Sequence, residues 1–155
     1  NYYSFSKGNE RKVINLNDNK FNLSFLPLIC YEIIYSGRLK KKNNFDIIIN
    51  ISEDGWFGNS IGPHQHFSHS IFRSIEEGKN IIRASNNGIS AYIDSNGLII
   101  EKLESTQKGV IEINNYKGLK KTFFSKFGNK IFFYFILFYI ILIFFLKKRH
   151  KRDLK

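Results

Sequence analysis

Between Ile131 and Leu146 the chain reads IFFYFILFYIILIFFL, sixteen residues with no charge, Gly or Pro. The run is apolar on every side, so it has no polar face to turn toward water as a surface helix would. As a helix it rises about 24 Å at about 1.5 Å per residue, a little short of a hydrocarbon core of about 30 Å. Extending it back through Phe127, Gly128 and Asn129, with Lys126 and Lys130 snorkelling, supplies the missing length. A buried core helix would have the same length, but the tail that follows favours a membrane span. That tail, KKRHKRDLK from Lys147 to Lys155, carries six Lys or Arg against one Asp, a net +5 that leaves +6 for the other 146 residues. A basic cluster next to an apolar span marks a cytoplasmic flank, which places the preceding residues across the membrane. Nucleic-acid binding is the competing use of such a cluster. Its position against the span argues for membrane and no nucleic acid. The run is also at the wrong end for a signal peptide, and basic residues follow it.

The remaining composition narrows the choice. A single Cys excludes a disulfide framework and any CxxC-type zinc or redox site. Hydrophobic content of 43% excludes a disordered chain. The 155 residues allow one ordinary domain with an appendage, and the lack of any Met leads us to expect a processed chain or a fragment. The expected division is a soluble part over 1–122, a transmembrane helix over 127–146 and a basic cytoplasmic tail over 147–155.

Short apolar runs alternate with turn signals through the soluble part. FNLSFLPLI, Phe21–Ile29, fits a strand, with Pro27 implying an edge or a late irregularity. FDIIINI, Phe45–Ile51, fits a buried strand entered after the polar stretch Lys40–Asn44. His66–Glu77 places Phe67, Ile71 and Ile75 four apart, with small Ser70 and Ser74 between them, and Gly78 stops it, which predicts a helix. Asn80–Ser85 and Ile89–Asp94 flank Asn86-Asn87-Gly88, the chemistry of a type I′ hairpin turn. Ser95-Asn96-Gly97 turns the chain into Leu98–Lys102, and Gly109–Ile113 supplies a last strand. The prediction is a layered α/β domain with a mixed sheet.

Cys30 follows an apolar strand and precedes Tyr31-Glu32. A strand running into a sharp turn exposes a nucleophile at its tip and brings the next backbone N–H near an attacked carbonyl. A buried structural cysteine is the alternative that these residues alone favour. A reactive thiol needs a base or cation nearby, and this stretch contains no Lys. Glu32 is the nearest carboxylate; its direction from a turn is open. NISEDGWFGNSIGPHQHF, Asn50–Phe67, reads as a Gly-rich loop carrying Trp56, the only Trp, and Phe57. Such aromatics line binding surfaces or pack over a core. His64, His66 and His69 invite a metal reading, but the spacing fits no standard zinc pattern. Packing and capping of the following helix is the preferred role, and no metal or cofactor is expected.

Together these segments resemble one family. ICYE at Ile29–Glu32, WFGxSIGPxQHF at Trp56–Phe67, RASNNGIS at Arg83–Ser90 and FGN before the apolar run are similar to the carboxyl-terminal part of apolipoprotein N-acyltransferases, from about Phe5 to the last helix. FSKG at Phe5–Gly8 fits the lead-in to the nucleophile strand. The resemblance implies an α-β-β-α sandwich of nitrilase type, followed by one carboxyl-terminal transmembrane helix. It implies a bacterial inner-membrane enzyme with its catalytic domain on the periplasmic side and its tail in the cytoplasm, a monomer when full length. A Glu–Lys–Cys triad would take an acyl chain from a phospholipid as a thioester and pass it to the α-amine of a diacylglyceryl-cysteine on an apolipoprotein. By motif match Cys30 is the nucleophile, Tyr31 supplies an oxyanion-hole N–H, Glu32 is a supporting acidic residue, and Trp56 belongs to a loop near the lipid entrance. The triad Glu and Lys fall upstream of the matched region, so this stretch alone is expected to be inactive. Glu53 replaces a usual Asn, making the loop more polar, and Gly55 replaces a frequent Ala, loosening it. A nitrilase-like amidase and a non-catalytic membrane-anchored remnant are the alternatives.

Overall fold

The computed structural model describes residues 11–18, 21–37, 39, 44–114 and 121–153. Six strands form one mixed sheet: β1 (Ile14–Asp18), β2 (Phe21–Ile29), β3 (Ile47–Glu53), β4 (Asn80–Asn86), β5 (Ser90–Ile93) and β6 (Ile99–Leu103), adjacent in that order. The three central strands β2, β3 and β4 run parallel, and the other pairs are antiparallel. Parallel neighbours need a crossover. The one from β3 to β4 carries α1 (Gly62–Glu77), which Pro63 opens in the first turn and Gly78 closes in a left-handed conformation at φ 63°. All three parallel strands end at one rim, where Ile29 pairs with Ile51 and Glu53 with Asn86. Sites in open α/β sheets collect at such carboxyl-terminal rims.

Side chains alternate across the sheet as the period of two demands. Leu26 and Leu28, Ile48, Ile81, and Ala91 and Ile93 join Ile33 and Phe67 in the core under α1. The other face is open, with Ile29 58% and Ile51 55% exposed. A second sheet covers such a face in an α-β-β-α sandwich, and the fold is of this nitrilase-like kind with one apolar carboxyl-terminal helix.

The structure departs from the sequence expectations at several points of the sheet domain, including Asn50–Phe67, whose ends belong to β3 and α1 and not to a loop. Gly109–Ile113 is irregular, because Ile111 and Ile113 lie over the open face beside Ile82, Ala84 and Leu103, around a cavity of about 210 Å³, and do not extend the sheet. The buried face of α1 is Pro63, His66, Phe67, Ser70, Arg73, Ser74 and Glu77. Ile75 lies outside it, 46% exposed and over the Gly97 turn. The turn after β4 has positive φ at Asn87 (55°) but not at Gly88, so it is not type I′. Strand β1 carries no buried face to mark it in the sequence: all its side chains are exposed, and pairing with β2 makes it a strand. Pro27 meets its expectation, since β1 pairing stops at Phe25 and, among the described residues, no strand pairs with Pro27 on that side. The FSKG lead-in lies outside the described residues.

The apolar run forms α3 (Lys130–Asp153), preceded by the short α2 (Phe123–Phe127). Gly128, at φ 56° and ψ −148°, separates them, so the helix does not extend back through Phe127. It gains its length at the basic end instead. At 24 residues it is about 36 Å long. The segment Lys130–Arg149 is long and apolar enough to cross a membrane, and none of it is buried in the protein. The hinge is tied to the sheet domain: Ser125 Oγ donates to Glu77 Oε2 at 2.6 Å, Thr122 Oγ1 donates to the Glu76 carbonyl, and Asn129 Nδ2 donates to the Ser36 carbonyl at 3.3 Å.

Candidate active site

Strand β2 delivers Cys30 to the rim, where the chain breaks into a 3₁₀ helix, Cys30–Ile34. Cys30 has φ 46°, a left-handed conformation that a residue with a Cβ adopts only when its surroundings hold it there. Two braces supply that hold. On one side the Glu32 carboxylate folds back, Oε2 accepting the Ile29 N–H at 2.8 Å and Oε1 accepting Arg11 Nη2 at 2.8 Å. Burial pushes the Glu32 carboxyl up, but the Ile29 N–H and Arg11 outweigh it and hold it below the usual range. On the other side Asn50 Nδ2 donates to the Leu28 carbonyl at 3.0 Å and to the Cys30 carbonyl at 3.3 Å. Arg83 Nη1 donates to Asn50 Oδ1, which fixes the amide so that its NH₂ faces the turn.

Behind the cysteine lies a buried polar network. Asp54, Arg83, His66 and Asn50 are each at most 2% exposed. Asp54 Oδ2 accepts Arg83 Nη2 at 2.7 Å, and Oδ1 accepts Ser52 Oγ and His66 Nδ1, both at 2.8 Å. Burial pushes the Asp54 carboxyl up, while Ser52, Arg83 and His66 together pull it below its ordinary value. The charged carboxylate accepts only, so His66 Nδ1 is the donor in this pair. Burial lowers the Arg83 guanidinium, and Asp54 opposes that. Ser52 Oγ also lies 3.6 Å from Cys30 Sγ, and Sγ lies 4.0 Å from the Glu53 carbonyl oxygen.

The residues singled out in sequence fall as follows. Cys30, Tyr31 and Glu32 share the turn; Cys30 is partly exposed, and Tyr31 is 54% exposed with its ring 5.7 Å from that of His66. Trp56 stands on the next 3₁₀ helix, Gly55–Phe57, at 88% exposure, while Phe57 packs on His66 at 5.7 Å. His66 serves packing and Asp54, and among the described residues no three metal-binding side chains gather. Glu53 faces out of the network: its carboxylate accepts Asn86 Nδ2 at 2.5 Å, Asn87 Nδ2 at 3.2 Å and the Gly55 N–H at 2.7 Å. Those donors, Asn87 first, lower its carboxyl. It therefore ties β3 to the β4–β5 turn. Reading the sequence alone missed Asn50, Ser52, Asp54 and Arg83. The available signal was Asn50, Ser52 and Asp54 at a spacing of two, polar groups on the face that Ile48 shows to be core.

A partly exposed thiol on a strained, doubly braced strand-to-helix turn at the rim of a mixed sheet is an arrangement that can present sulfur to an incoming carbonyl group. The carbon–nitrogen hydrolase family matches residues 2–114, and the chain belongs to that family. Within it, the chain is similar to proteins named apolipoprotein N-acyltransferase. That of Rickettsia bellii is 47% identical over 118 residues, covering 72% of this chain and 23% of the relative. That of Wigglesworthia glossinidia brevipalpis is 44% identical over 111 residues, covering 70% and 22%. That of Brucella melitensis is 39% identical over 109 residues, covering 70% and 20%. The chain thus spans less than a quarter of the length of these curated relatives.

Proposed function

We propose that this chain is the nucleophile-bearing part of an apolipoprotein N-acyltransferase. The observation that carries the reading is Cys30, partly exposed and held at φ 46° between Glu32 and Asn50, in a chain up to 47% identical to the curated enzymes cited above. In the first half-reaction Sγ attacks the ester carbonyl of a phospholipid. The S–C bond forms, the ester C–O bond breaks, and the thiol proton passes through a base to the departing lysophospholipid alkoxide. In the second, the α-amine of a diacylglyceryl-cysteine attacks the thioester carbonyl. The C–N bond forms, the C–S bond breaks, and one amine proton returns to sulfur. A thiol suits both steps, since its thiolate attacks esters readily and its thioester is open to an amine.

The remaining roles follow the family motif. The Tyr31 N–H lies in the first turn of the 3₁₀ helix, where the helix provides no internal acceptor, and would stabilise the oxyanion of each tetrahedral intermediate. Glu32 acts through the backbone, as the brace of the turn. Trp56, on its exposed loop, would meet the lipid. The triad Glu and Lys would come from outside this stretch, which alone would be inactive. The test is mass spectrometry of the full-length protein after incubation with phospholipid and no acceptor. The expected result is an acyl adduct on the peptide containing Cys30, discharged when the amine acceptor is added; an unmodified Cys30 beside active enzyme would exclude the mechanism.

Within this reading α3 spans the inner membrane, with the sheet domain on the periplasmic side and the basic tail in the cytoplasm, since Lys and Arg are retained on the cytoplasmic flank. A tag placed after Lys155 is expected to survive protease added to intact spheroplasts and to be cut after lysis. Cleavage in intact spheroplasts would reverse the orientation.

A further inference from the structure

We propose that the Ser52 hydroxyl is a switchable hydrogen-bond donor, held by Asp54 in the resting protein and turned onto Cys30 Sγ when the thiol ionises. The inference rests on Cys30 being the nucleophile. Its ground is an arrangement around one proton. Ser52 is 6% exposed, and its single O–H has two acceptors in reach, Asp54 Oδ1 at 2.8 Å and Cys30 Sγ at 3.6 Å. While sulfur carries its hydrogen, the S–H is directed toward the Glu53 carbonyl and the Ser52 proton has its better acceptor in the carboxylate. Once sulfur is negative, it becomes a charged acceptor too.

Asp54 can release that proton at small cost. Its Oδ1 keeps the His66 Nδ1–H and its Oδ2 keeps the Arg83 guanidinium, so no buried oxygen is left without a donor. The same would not hold for a serine bound to a carbonyl or to a singly paired acid. The charged and titratable groups around the sulfur are accounted for on each element. The nucleophile turn carries Glu32, paired with Arg11; β3 and its end carry Glu53, bound to the β4–β5 turn, and Asp54; α1 carries His66; β4 carries Arg83, paired with Asp54. Among the described residues Ser52 is the side chain whose hydroxyl is placed to donate to the sulfur itself. Because it touches the reacting atom, Ser52 is a catalytic residue in this scheme.

The experiment measures the iodoacetamide alkylation rate of the Cys30 peptide against pH in the full-length protein, by mass spectrometry, for wild type, Ser52→Ala and Ser52→Thr. Ser52→Ala is expected to move the half-maximal pH up by about one unit, the order of one lost hydrogen bond to a charged acceptor. Its high-pH plateau should rise about threefold, because a more basic thiolate is intrinsically more nucleophilic. Ser52→Thr keeps the hydroxyl and should restore the wild-type midpoint. A merely loosened site would raise alkylation at every pH without moving the midpoint, and that result would overturn the inference, as would coincident wild-type and Ser52→Ala curves. A chain that transfers acyl groups without Cys30 would remove the nucleophile reading itself, a separate outcome read from the adduct.

Discussion

Cys30→Ala in the full-length protein is expected to abolish acyl transfer, with a loss of at least about 10³-fold and no adduct on the corresponding peptide. The turn itself should survive, because its geometry is set by contacts that Ala retains. Asn50 binds the backbone carbonyl of residue 30, and Glu32 binds the N–H of residue 29. Cys30→Ser keeps an oxygen in place of sulfur, yet an alkoxide forms far less readily than a thiolate at neutral pH, so residual transfer should stay below about 1%. The measurement is conversion of a diacylglyceryl peptide with phospholipid as donor, with circular dichroism to verify folding. Undiminished transfer by a folded Ala variant would refute the assignment.

Arg83→Met is expected to cost about 3–5 kcal/mol in stability, the effect of stranding a buried carboxylate. Arg83 is 2% exposed and reaches three groups: Asp54 Oδ2, Asn50 Oδ1 and, through Nε at 3.2 Å, the Ile89 carbonyl. Met fills much of its volume and supplies none of these bonds. Arg83→Lys keeps the charge but not the fork, so an intermediate loss is expected. Because the folded state holds the Asp54 carboxyl below its ordinary value, its stabilisation is present above the usual carboxylate range of about 4 and is lost as pH falls through the lowered value. Arg83→Met should therefore also flatten the acid limb of the stability profile. Urea unfolding in detergent, followed by circular dichroism at several pH values, measures both effects. A loss under about 1 kcal/mol would mean that Asp54 finds other partners.

The two variants separate the layers of the site. In the proposed mechanism Cys30 supplies the reacting atom, and its removal should leave the frame standing. Arg83 never reaches the surface, yet it orients the Asn50 amide that pins the nucleophile's backbone, so its loss should damage frame and chemistry together. Ser52 stands between them, bonded to the frame and within reach of the sulfur.

Several features were determined by the sequence without a fold. The apolar run Ile131–Leu146 makes a helix because, where no water reaches the backbone, a helix pairs its N–H and C=O groups within the segment. The alternation of apolar runs with Gly and Asn turns located β2 to β6 and α1 within a few residues, since those patterns are local. ICYE likewise marked Cys30 as the residue that follows a strand. Tertiary structure decided the rest. β1 became a strand only through β2, and Gly109–Ile113 lost its strand because its isoleucines found an open sheet face. Gly128 broke a helix that hydrophobicity alone would have continued, because the hinge is bound to α1 and Ser36. Above all, the network Asn50–Arg83–Asp54–His66 joins residues up to 33 positions apart. Burial makes each of those polar groups demand a partner, and only the parallel pairing of β3 with β4 under α1 brings the partners into reach.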